Sequence, residues 1–177
     1  MVDSIELFLD VNVYLDAIVV WQTDQTYLPF EYRSGVSVVN NAPGVIVDAI
    51  YHREVVNGRE LVLHTSARVL GMIEFKLQSE YRWELAAIDR ASDLFVHLVA
   101  TSGGRICEDP PKVLQLPGLT DQEDVHRYSE ASATGAELLV TSDHGFLAVN
   151  DAGLRPQIVS PSSVVRFLPD PTSSAAD

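Results

Sequence analysis

The sequence holds one cysteine, Cys107, in 177 residues. A lone thiol excludes an intrachain disulfide and a thiolate zinc site, and it suits a reducing compartment. The five histidines, His52, His64, His97, His126 and His144, lack zinc-motif spacing; His126 and His144, close in sequence to Asp124 and Asp143, read as surface residues or as contacts to a substrate phosphate. Basic residues are scarce as well: 12 Lys and Arg stand against 25 Asp and Glu, for a formal charge of -13. That balance disfavours nucleic-acid binding through a basic patch, because neutralising phosphates needs Lys and Arg. It leaves nucleic acid open as a substrate, since bound divalent cations reverse the local field of an acidic cleft. An acidic surface equally suits a basic partner, or serves only to keep the chain soluble. No apolar run reaches the length of a membrane span, and "MVDSIELFLD" carries acids where a signal peptide carries bases, so a cytoplasmic protein without a membrane partner is expected. No G-x-S-x-G elbow, Walker loop, dinucleotide fingerprint or internal repeat is present.

What is present is an ordinary globular composition, 46% hydrophobic and 21% charged. Its length suits one domain, expected over residues 1–168, with a disordered tail at 169–177. Apolar segments alternate in type along the chain. "IELFLD" reads as a strand and "VNVYLDAIVVW" as a buried helix. After a polar, aromatic loop, "GVIVDAIYHREVVNG" has helical spacing with Gly58 as its expected C-cap. "ELVLHT" is a second strand, and "SARVLGMIEFKLQ" a helix capped by Ser66 with Val69, Leu70, Ile73 and Leu77 on one face. A longer helix should run through "RWELAAIDRASDLFVHLVATSGG" and stop at Gly103 and Gly104, with "RICED" a short strand and "PPKVLQLPG" a loop. "TDQEDVHRYSEASATG" reads as a helix opened by a Thr120–Glu123 capping box. The strand "ELLVT", a loop, the strand "QIVS" and the helix "PSSVVRFL" complete the pattern. Strands separated by helices predict a three-layer α/β/α sandwich around a mostly parallel sheet. Ligands in such sheets bind at the carboxyl ends of the strands.

Two of the strands end on aspartates, "LFLD" at Asp10 and "LLVTSD" at Asp143. If those strands are adjacent and parallel, both carboxylates lie on the ligand edge. The helix before the second strand starts near that same edge, and its first turn carries Asp121 and Asp124 on one face. Crowded carboxylates repel, and a hard divalent cation, Mg²⁺ or Mn²⁺, is the usual compensation. The chemistry inferred is metal-assisted phosphodiester hydrolysis. Each acid also has a structural explanation: Asp10 as an N-cap, Asp143 as a turn residue, Asp121 and Asp124 as partners of the helix dipole. Trp21, Tyr27, Phe30 and Tyr32 flank the first long loop, where they stack on bases, pack beneath the loop or contact a partner.

"LFLDVNVYLDAI", "LVLHTSARVLGMIEFKL" and "LTDQEDVHRYSEASATGAELLVTSDHGFL" together resemble the three acidic blocks of the PIN domain, in order and spacing. The third block is the most specific. The resemblance implies a metal-dependent endoribonuclease, most often the VapC-like toxin of a toxin-antitoxin pair, leaving 5′-phosphate and 3′-hydroxyl ends. It assigns Asp10, Asp124 and Asp143 as catalytic, metal-binding carboxylates, Asp121 as an accessory acid, and Asn12 and Thr141 as polar neighbours of the metal. It also implies an RNA substrate, a cognate antitoxin and a homodimer. The second block departs from the family, which places an acid at about Gly71. Glu74, one turn later, either takes over part of that role as a metal ligand or is solvated or paired with a neighbour such as Lys76. A PIN-fold binding module with weakened or lost catalysis is therefore the alternative. A phosphatase with a nucleophilic aspartate fits worse, because "DVNVY" lacks a second acid two residues on.

Overall fold

The computed structural model describes residues 3–22, 42–108, 112–114, 116–149, 153–166 and 168, with 19–22 by backbone alone. The expected tail at 169–177, Tyr27, Phe30, Tyr32 and the side chain of Trp21 lie outside the described residues.

β1 (Asp3–Leu9) becomes more apolar along its length and ends on Leu7, Phe8 and Leu9, all fully buried. Neighbouring side chains on a strand point to opposite faces, so three consecutive buried residues mean that both faces are covered. β3 (Arg59–Ser66) behaves likewise, buried from Leu63 to Ser66. The covering elements are α1 (Val11–Gln22), α2 (Ala42–Tyr51), α3 (Ala67–Ser79), α4 (Leu85–Ser102), α5 (Gln122–Thr134), α6 (His144–Leu147) and α7 (Pro161–Val165). The other strands are β2 (Val55–Val56), β4 (Ile106–Cys107), β5 (Leu138–Val140) and β6 (Gln157–Val159). The sheet order is β2-β3-β1-β5-β6, with β4 paired to the end of β3. Every pairing is parallel except β2 with β3. The molecule has the α/β architecture expected from the sequence.

Packing joins the layers. Tyr14 of α1 stacks on Phe95 of α4, with centroids 4.0 Å apart and planes at 24°. The Tyr14 hydroxyl donates to the Ala91 carbonyl at 2.7 Å, and full burial pushes the phenol far above its ordinary pKa. At the amino ends of the strands, Arg59 reaches Glu137 at 2.6 Å, Asp3 at 3.1 Å and the Ser4 carbonyl. β1, β3 and β5 are thus tied together at their amino ends.

Ser66 caps α3 as expected, accepting the Val69 N–H at 3.1 Å, and Val69, Ile73 and Leu77 are buried. Gly103 ends α4 in the left-handed conformation, φ 83. Three expectations need correction. Gly58 does not cap a helix: α2 stops at Tyr51, and Asn57 (φ 50) with Gly58 (φ 80) forms a two-residue turn joining β2 to β3. Positive φ at both positions is the hairpin turn that Asn-Gly favours. The cap of α5 is Asp121, whose carboxylate accepts the Glu123 N–H at 2.8 Å, so Thr120 makes no capping box. The segment after β5 holds a short helix, α6, where a loop was expected. His64 is buried, 3% exposed, with Nδ1 accepting the Arg105 N–H at 3.0 Å and Nε2 2.6 Å from Glu6. Because Nδ1 accepts, Nε2 carries the ring proton and donates to Glu6.

Candidate acidic site at the carboxyl edge of the sheet

β1 and β5 are adjacent and parallel, with Leu9 opposite Val140. The residues just beyond, Asp10 and Thr141, therefore leave the sheet side by side. The Asp10 N–H donates to the Val140 carbonyl at 2.9 Å, and the Thr141 N–H to the Val159 carbonyl at 3.0 Å. Asp10 has no exposure to solvent. Its Oδ1 accepts from the Val11 N–H at 2.7 Å and from Arg127 Nη1 at 2.9 Å, and its Oδ2 accepts from the Thr141 hydroxyl at 2.7 Å. Thr141 Oγ1 in turn accepts the Asp143 N–H at 3.1 Å. The Asp143 carboxylate accepts the Phe146 N–H at 2.9 Å and so caps α6.

α5 brings the remaining acids to this edge from the side. Asp124, in its first turn, is 8% exposed and lies 3.4 Å from Arg127 Nη1. Its carboxyl is pushed up to about 6, first by burial and then by the charges of Asp121, Asp143 and Asp10, with Arg127 opposing. Four aspartates from three separate segments thus share one electrostatic neighbourhood. Burial works against the charge of Arg127, but Asp10, Asp124 and Glu123 outweigh it, and the guanidinium is held above its ordinary pKa.

The other expected site residues have contacts or exposure of their own. Asn12 accepts from Lys76 Nζ at 3.1 Å. Glu74 is exposed on α3 and is not among the charges acting on Asp124. Gly71 is exposed too, and a Cβ there would meet nothing within 4 Å. Two charged residues were missed from sequence, Arg127 and Glu130. Glu130 is 5% exposed, accepts the Ser66 hydroxyl at 2.7 Å and has its pKa raised by burial. The i,i+3 spacing of Asp124 and Arg127 is visible in the sequence as a helical ion pair, but the reach of Arg127 across to Asp10 exists only in the fold.

Arg127 supplies positive charge among these acids. Among the described residues, no group of three or more His, Cys, Asp or Glu side chains is disposed to hold a metal ion. A single guanidinium nitrogen, Nη1, stands 2.9 Å from Asp10 and 3.4 Å from Asp124. Among the described residues, no helix is long and apolar enough to cross a membrane.

No protein-family model matches the chain, and no curated protein matches it. Among solved structures, the crystal structure of PAE2754 from Pyrobaculum aerophilum is similar, with a TM-score of 0.48 and 20% identity over 94% of this chain and 98% of that chain.

Proposed function

We propose that the chain is a PIN-type endoribonuclease that uses Mg²⁺ or Mn²⁺ at Asp10, Asp124 and Asp143. Asp121 lends negative charge from the cap of α5. The observation that supports this most is that Thr141 joins Asp10 to the Asp143 backbone while Arg127 joins Asp10 to Asp124 at the carboxyl edge of the sheet. The donor set fits a hard cation in kind, being carboxylate and hydroxyl oxygens with four carboxylates against one guanidinium. When bound, such an ion neutralises charge on a phosphodiester and acidifies water. The chain's own part is positioning. Thr141 donates to Asp10 while accepting from the Asp143 backbone, so one buried hydroxyl fixes two of the acids relative to each other. Asp124 loses its proton near pH 6 and is ionised at neutral pH. Asn12 and Glu74 belong to the outskirts of the site, Asn12 through its bond to Lys76. A role as the toxin of a toxin-antitoxin pair, with a basic antitoxin and a homodimeric state, extends the same reading.

Asp143→Asn is the cleanest test, because asparagine still caps a helix whereas Asp10→Asn would strand a buried guanidinium. The variant should lower RNA cleavage by about a hundredfold or more while its circular dichroism spectrum stays unchanged. Equal rates in variant and parent would remove the catalytic assignment. The second reading, a binding module without efficient catalysis, is favoured by Gly71, where the expected acid is missing. Mn²⁺ binding without cleavage of any RNA in a broad panel would select it.

A further inference from the structure

Arg127 is unusual for an arginine on a helix surface, because it turns inward. Its side chain is 17% exposed, and one nitrogen serves both Asp10 and Asp124. Asp10 has little capacity left, since Oδ1 already accepts two N–H groups and Oδ2 the Thr141 hydroxyl. A second cation approaching that carboxylate meets the first, and two positive charges in a buried site repel strongly.

We propose that Arg127 is a built-in counter-ion that a divalent cation must displace from Asp10, so that the guanidinium gates metal loading of the cluster. This rests on the metal-dependent reading above and adds a competition to it. The guanidinium keeps the metal-free protein folded by compensating a fully buried carboxylate, and for the same reason it weakens metal binding. Leaving Asp10 would require the guanidinium to change rotamer.

The test is calorimetric titration of MnCl₂ into the full chain, as wild type, Arg127→Gln and Arg127→Lys, with melting curves in Mn²⁺ and in KCl of equal ionic strength. Arg127→Gln should bind Mn²⁺ at least about tenfold more tightly than wild type, equivalent to about 1.4 kcal/mol. Arg127→Lys, which keeps the charge, should stay close to wild type. Arg127→Gln should also melt lower in KCl and recover in Mn²⁺. If it folds only with Mn²⁺, the ion has replaced the guanidinium and the proposal stands. If it folds with neither, the ion cannot take that place and the proposal is overturned. Equal Mn²⁺ affinity in wild type and Arg127→Gln overturns the gate and leaves the metal reading intact. Absence of binding in all three proteins overturns the metal reading itself.

Discussion

A carboxylate one helical turn from an arginine usually ionises easily, yet Asp124 holds its proton up to about pH 6. Burial and three neighbouring acids outweigh the single guanidinium. The sign follows from linkage. The folded state binds the proton more tightly than the unfolded chain, whose carboxyl titrates near the ordinary 3.8. Stability contributed by the protonated form is complete below that value and is lost as pH rises to about 6. Asp124→Asn, which cannot ionise, should therefore be more stable than the metal-free parent at pH 8, by about 1–3 kcal/mol. The gap should close below pH 4. Urea denaturation across that range checks it, and a gap independent of pH would mean that another group carries the penalty. At this scale the acids were legible, because an aspartate ending an apolar run stands out. Arg127 and Glu130 were not, since a charged residue on a polar helix face looks solvated until a strand is seen to pass beneath it.

Two glycines show how differently the same residue serves an element. Gly71 lies exposed within α3 with open space where a Cβ would go. Gly71→Ala should stabilise the protein by about 0.5–1 kcal/mol through helix propensity alone. Gly104, just past α4, lies against β3 so closely that a Cβ would overlap the Leu63 carbonyl. Gly104→Ala should cost about 3 kcal/mol or more, because backbone on both sides must shift. Thermal melts of the two variants should move in opposite directions, and a shift of the same sign would contradict this packing of α4 on β3. The long helices and the parallel strands were readable from periodicity. The β2–β3 hairpin was hidden because Val56 continued the helical spacing of α2, although Asn57-Gly58 is a strong turn signal. Thr120 was read as the cap of α5 because its spacing to Glu123 fits a capping box, and Asp121 took the role since a carboxylate one residue closer reaches the free N–H groups.

For the molecule as a whole, the decisive quantity is the charge of -13. A polyanionic substrate and a strongly acidic protein repel, so on the proposed reading RNA would be held mainly through a cation at the acidic cluster and through uncharged contacts. A basic nuclease loses affinity steeply with salt, because each phosphate paired with Lys or Arg releases counterions. Here few such pairs are available, and added monovalent salt also screens the overall repulsion. At a fixed, saturating Mg²⁺ concentration, log kcat/KM for single-stranded RNA should change with log KCl concentration by a slope shallower than about -1, where each phosphate contact contributes about -0.7. A slope steeper than about -2 would mean that several Lys or Arg side chains carry the RNA. The acidic cluster would then be a local feature of a surface whose recognition lies elsewhere, and the electrostatic account of substrate binding would fail while the assignment of Asp143 could still stand.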